Sequence, residues 1–140
     1  MKRPITPKIH GALDYSTVAA VAAAPRLLNL PKRAEALCYA LAGGYAGLSA
    51  FTDYPLSVKR AVPFKAHGAA EAAIGAALPF MPWILGVSNS RAARNLCFGL
   101  AAFTFVVAAL TDWDKRHASN AERKRPRRKS RNGRRAMQAA

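Results

Sequence analysis

The sequence predicts an all-α protein: four transmembrane helices from a tandem, parallel duplication of a two-helix hairpin, followed by a disordered, basic C-terminal tail. Three observations carry this expectation. Long uncharged runs alternate with charged ones, two stretches of the chain repeat one another, and the basic residues are segregated. The membrane domain is expected over residues 1–114, with one repeat at about 8–54 and the second at about 65–113, and the tail over 115–140.

Apolar residues make up 51% of the 140 residues, yet mean hydropathy is only −0.02, so apolar and charged residues must be kept apart. The uncharged runs are Tyr15–Pro25, Ala36–Thr52, Ala72–Ser90 and Asn95–Thr111, and the last three have 17, 19 and 17 residues. A bilayer-spanning helix needs roughly 20 mostly apolar residues. Three runs pass narrowly, and the first passes only if His10 and Asp14 enter the membrane edge. Lys2 and Arg3 followed by Tyr15–Ala24 and the small residues Ala22-Ala23-Ala24 also have the outline of a signal peptide. His10 and Asp14 fit that outline badly, and a mature N-terminus at Pro25 would overturn the four-helix reading.

The repeat supports the first helix independently. Lys8–Pro31 aligns with Lys65–Ser88 at an offset of 57, with eight of 24 positions identical, among them Lys8/Lys65, His10/His67, Gly11/Gly68 and Pro25/Pro82. Asp14 faces Glu71. Lys32–Tyr54 aligns with Arg91–Trp113 at an offset of 59, with eight of 23 identical, among them Cys38/Cys97, Thr52/Thr111 and Asp53/Asp112. Tyr54 faces Trp113. The two extra residues of the second unit fall near Gly86–Ser90. Two-helix units enter from the same side, which gives a parallel repeat about a pseudo-twofold axis along the membrane normal.

Loop charge sets the orientation. One side carries Lys2, Arg3, Lys8, Lys59, Arg60, Lys65 and 11 tail residues, against Arg26, Lys32, Arg33, Arg91 and Arg94 on the other. The expected location is therefore the bacterial cytoplasmic membrane, multi-pass, with both termini cytoplasmic. Tyr54 and Trp113 suit aromatic anchors at that side and Trp83 at the other. Small residues allow helices to approach closely in lipid, so the stripe Ala36, Ala40, Gly43, Gly47 and Ala50 is expected to be an interface. Its counterpart is Asn95, Gly99, Ala102, Val106 and Ala109. Pro79 and Pro82 are expected to kink the third helix near its end.

The segment Met81-Pro82-Trp83-Ile84-Leu85-Gly86-Val87 resembles the motif of the SPW-repeat membrane proteins, with Ala24-Pro25-Arg26-Leu27-Leu28-Asn29-Leu30 as a degenerate first copy. Met81 stands where that family has Ser, and Arg26 where it has Trp. The chain is also similar to small bacterial membrane proteins with His-Gly and Thr-Asp-Tyr or Thr-Asp-Trp signatures. The resemblance implies a fold and a location and no activity.

His10 and Asp14 are four apart and share a helix face, as do His67 and Glu71. Asp53 and Asp112 close the second and fourth helices. The duplication is expected to gather all six in one layer at the cytoplasmic end. Ionisable residues in membrane segments point to function, and three readings follow. In the favoured one the layer is structural: each His bonds a carboxylate, Asp53 and Asp112 cap the chain's exits, and Asp14 and Glu71 suit an early helix turn. The chain is then a structural or accessory membrane protein. The second is a small transporter or proton-coupled carrier acting as a dimer, with Glu71 or Asp14 titrating at the repeat interface. The third is a metal or haem site, since His and carboxylate suit zinc, iron or manganese. Di-metal bundles place His three residues after Glu, which differs from the order and spacing here.

No nucleophile triad, phosphate loop or CxxC pair is present, so no enzymatic role is assigned and no cofactor is specified. Cys38 and Cys97 are expected as buried apolar thiols, with a disulfide as the alternative. The tail residues Arg123, Lys124, Arg125, Arg127, Arg128 and Lys129 lack apolar periodicity and are expected to attract anionic lipid headgroups at roughly 1 kcal/mol each. Nucleic acid is a weaker partner class because no aromatics interleave for base stacking. A homodimer or a partner membrane subunit completes the expected partners. Deleting 117–140 is expected to leave the helices inserted in membranes, as read by carbonate extraction; release into the soluble fraction would contradict that independence.

Overall fold

The computed structural model describes residues 3–114. Among them the fold is all-helical, with four helical spans and no strand beyond two isolated β-bridges. The helices are α1 (Pro7–Leu27), α2 (Lys32–Phe51), α3 (Phe64–Ala77), the one-turn α4 (Met81–Ile84) and α5 (Arg91–Leu110). α1 packs on α2 and α3 on α5, so each repeat is a helical hairpin.

Local chemistry explains the boundaries. Thr6 caps α1 by accepting from the Ile9 amide at 3.4 Å, and Pro7 occupies the first turn, where its missing N–H costs nothing. Ser90 caps α5 from the Ala93 amide at 3.2 Å. The first helical span of each unit ends alike. Leu30 N–H donates to Pro25 O at 3.0 Å and Val87 N–H to Pro82 O at 2.8 Å. These six-to-one bonds need a left-handed residue, supplied by Asn29 (φ 48°) and Gly86 (φ 66°). Pro79 and Pro82 break the third span more sharply than a kink: α3 stops at Ala77 and a 3₁₀ turn, Leu78–Phe80, leads into α4.

The units exchange their ends. Ile5 N–H donates to Leu110 O at 3.1 Å and Ile5 O accepts from Asp112 N–H at 2.9 Å. At the equivalent place Val62 N–H donates to Phe51 O at 2.8 Å and Val62 O accepts from Asp53 N–H at 2.8 Å. The lead-in to each first helix is thus stitched to the exit of the other unit's second helix. This gathers Ile5, Val62, Thr52 and Thr111 at one end of the molecule.

The core is built from small residues. On α2 the buried positions are Ala34, Cys38, Ala42 and Ser49; on α5 they are Ala93, Cys97, Ala101 and Val107. Cys38 and Cys97 are free, buried thiols. The expected interface stripe is corrected: Ala36, Ala40 and Gly43 are exposed, and a Cβ built on Gly43 or Gly47 meets nothing within 4 Å. The packing face of α2 is offset from it and passes through Cys38 and Ala42. Among the described residues one helix, Arg91–Leu110, is long and apolar enough to cross a membrane. α3 is too short by itself at 14 residues. α1 includes Lys8, Asp14 and Arg26, and α2 includes Lys32, Arg33 and Glu35 and is diluted by glycine.

Two glycines are required by close approach. A Cβ on Gly11 would sit 2.7 Å from Tyr54 Cε2, and one on Gly68 would sit 2.6 Å from the Trp113 ring. Gly11→Ala and Gly68→Ala are each expected to lose about 1–3 kcal/mol through overpacking, whereas Gly43→Ala should gain roughly 0.5–1 kcal/mol as an open helix position. Thermal unfolding of the three purified variants checks the contrast; equal shifts would contradict the packing described.

Candidate metal centre

Four side chains converge between α1 and α3: His10, Asp14, His67 and Glu71. Each His and its carboxylate are one helical turn apart, so both project from the same face. All four are buried, the histidines to 0% exposure, and one ligand atom from each lies within 4.8 Å of the others.

The imidazoles are aimed by the exchange of ends. His10 Nδ1 lies 2.9 Å from Thr111 Oγ1, and His67 Nδ1 lies 2.7 Å from Thr52 Oγ1, so each His is held by the other repeat's Thr. The threonine protons are already committed, because Thr111 donates to Val107 O at 2.7 Å and Thr52 to Leu48 O at 2.6 Å. Each threonine oxygen therefore accepts from an Nδ1–H. The second nitrogen, Nε2, is turned toward the carboxylates.

There each Nε2 lies within ion-pair distance of both carboxylates, but without hydrogen-bond geometry. His10 Nε2 is 3.5 Å from Asp14 Oδ1 and 3.2 Å from Glu71 Oε2; His67 Nε2 is 3.4 Å from Asp14 Oδ2 and 3.6 Å from Glu71 Oε1. Charge-assisted N–H···O bonds are about 2.7–2.9 Å long. Neither Nε2 makes a hydrogen bond, although both are fully buried. A buried nitrogen without a partner is costly. A divalent ion between them would take the lone pair of each Nε2 and an oxygen of each carboxylate, and one such atom from each residue lies within 4.8 Å of the others.

The carboxylates are not equivalent. Asp14 Oδ2 accepts from Tyr54 OH at 3.2 Å and Ser49 Oγ at 3.4 Å. Tyr54 is 0% exposed; its burial, reinforced by the Asp14 charge, pushes the phenol well above its ordinary value and keeps it a donor. The counterparts of Ser49 and Tyr54 are Ala108 and Trp113, and the Trp113 indole donates to Ala108 O at 2.9 Å instead. Glu71 thus receives neither of the donors that hold Asp14. Phe64 and Trp113 close the end of the site, with ring centroids 5.2 and 5.1 Å from His10.

Asp53 and Asp112 do not join the four, which corrects the expected six-residue layer. Asp53 is exposed with Arg60 Nε 3.6 Å away, and Asp112 Oδ1 accepts from the Asp114 amide at 3.3 Å. Stitching of their backbones to Val62 and Ile5 turns the chain away just past each Thr. Nor do Asp14 and Glu71 sit in a first helix turn, since no acid does in α1 or α3. The basic residues Arg123 to Lys129 lie outside the described residues. Thr52, Thr111, Ser49 and Tyr54 are the site residues sequence reasoning missed. The paired Thr-Asp signature marked two of them, with the role assigned to the wrong member.

Comparison with known proteins gives no matching family model, no matching curated protein and no matching solved structure.

Thr52→Val and Thr111→Val each remove the acceptor of a buried Nδ1–H and are expected to cost about 1–3 kcal/mol. Thr→Ser at either position should recover most of that loss. Denaturant unfolding of the four variants measures it; Val and Ser variants of equal stability would show that the threonines do not hold the imidazoles.

Proposed function

We propose that this chain is a small membrane protein whose function rests on one divalent first-row metal ion, bound by His10 Nε2, His67 Nε2 and the carboxylates of Asp14 and Glu71. The observation that carries this reading is the pair of buried Nε2 atoms that make no hydrogen bond yet each lie 3.2 to 3.6 Å from both carboxylates. Charge supports it as well: two carboxylates and a divalent cation sum to zero, which avoids the cost of burying net charge. Threonine acceptors on the far nitrogens are outer-shell partners of the kind that orient metal-ligating histidines. Imidazole and carboxylate together suit zinc, iron or manganese. A single ion is favoured over haem because the adjoining cavity is only about 30 Å³.

The membrane setting is part of the proposal. It is supported by α5 and by the large apolar side chains exposed along it, including Phe98, Phe103, Phe105, Val106 and Leu110. In this reading α1, α2 and the α3–α4 span cross beside α5, the stitched end faces the cytoplasm, and the tail meets anionic headgroups. The metal reading is preferred here to a purely structural or accessory role for the layer, because none of the four histidine–carboxylate contacts is a hydrogen bond.

Full-length protein purified in detergent is expected to bind about one zinc, iron or manganese per chain by elemental analysis. His10→Ala with His67→Ala should abolish binding, and Asp53→Asn with Asp112→Asn should leave it intact. Wild-type protein that stays metal-free after incubation with each of the three ions would sink the proposal.

A further inference from the structure

Below the four ligands, toward the middle of the bundle, lies a cavity of about 30 Å³. Asp14 and Glu71 form part of its wall, and Val21, Ala42, Leu78, Leu100, Phe103 and Val107 supply most of the rest. The aromatic cap of Phe64 and Trp113 lies against His10 at the opposite end of the site, so this cavity is on the inner side of the ligands. Roughly 10–15 Å³ suffices for one water, so the space admits a diatomic molecule or a pair of waters. A trapped water needs two to four polar partners. The hydroxyls of the wall are already engaged: Thr17 donates to Leu13 O at 2.8 Å, and Tyr45 pairs with Thr104. Apart from these hydroxyls and the two carboxylates the wall is apolar, which suits a ligand that needs few hydrogen bonds.

We propose that this cavity holds a small, uncharged diatomic ligand of the dioxygen class against the metal, a proposal that rests on the metal reading above. Four protein donors close a tetrahedral zinc site. Ferrous iron held by two histidines and a carboxylate keeps open positions, and the space lined by Asp14 and Glu71 is mostly apolar and diatomic-sized. Glu71, lacking the donors that hold Asp14, is the ligand freer to shift as the metal gains one more. The proposal concerns binding at the metal.

The probe is nitric oxide, a diatomic that forms a quartet-spin complex with such iron. Full-length protein in detergent is loaded anaerobically with ferrous iron, its iron content measured, and nitric oxide titrated with detection by electron paramagnetic resonance. Iron-loaded wild type is expected to give the quartet signal. Ala42→Leu, and independently Leu100→Phe, fill the cavity without touching a ligand. Each should keep its iron while losing roughly tenfold or more in nitric oxide affinity, the scale of an overpacked pocket. Iron-loaded wild type without the signal, or iron-loaded filled variants that bind as wild type does, overturns the diatomic proposal and leaves the metal reading standing. Protein that takes up no iron and no zinc or manganese overturns both.

Discussion

Two hydrogen bonds, Thr111 to His10 and Thr52 to His67, hold the rest of the arrangement in place. Each links the exit of one unit to the first helix of the other. Each depends on a backbone stitch beside it, Ile5 with Thr111 and Val62 with Thr52. A lone imidazole can rotate and choose either nitrogen for its proton. These two cannot, because the threonine protons are spent on carbonyls one turn back and the oxygens can only accept. Ring orientation, proton position and the direction of each free nitrogen are therefore set by helix geometry at the bundle end.

The remaining features serve this constraint. Gly11 and Gly68 let Tyr54 and Trp113 close against the helices. The αL residues Asn29 and Gly86 reverse the chain so that each second helix returns alongside its first. Small buried residues on α2 and α5 let the hairpins close tightly around a polar centre that contributes little apolar burial of its own.

Much of this was legible in the sequence through the duplication. Matched His, carboxylate and Thr-Asp positions were enough to expect a two-hairpin architecture and to nominate His10, Asp14, His67 and Glu71. What sequence could not settle was rotation and reach. The exposed stripe through Ala36, Ala40 and Gly43 and the buried one through Ala34, Cys38 and Ala42 are both rich in small residues, so composition cannot choose between them. Asp53 and Asp112 follow their threonines by one residue. At a helix exit one residue separates the inside of the site from its rim, and the backbone pairing that decides between them is non-local. The break at Ala77 depended on how two prolines three apart share one helical span, where pattern alone suggests a kink.

The exchange of ends has a consequence for ancestry. One hairpin alone cannot build this centre, since its histidine would face no threonine and its lead-in would find no stitch. Two identical hairpins related by a true twofold axis would supply both, with two equal carboxylates and two equal aromatic caps. Joining the copies in one chain frees them from that equality. At the site the present molecule uses that freedom where Ser49 and Tyr54 hold Asp14 and their counterparts Ala108 and Trp113 leave Glu71 without such support. A symmetric pair must treat its two halves alike, whereas a fused one can fix one side of its centre and leave the other free to move.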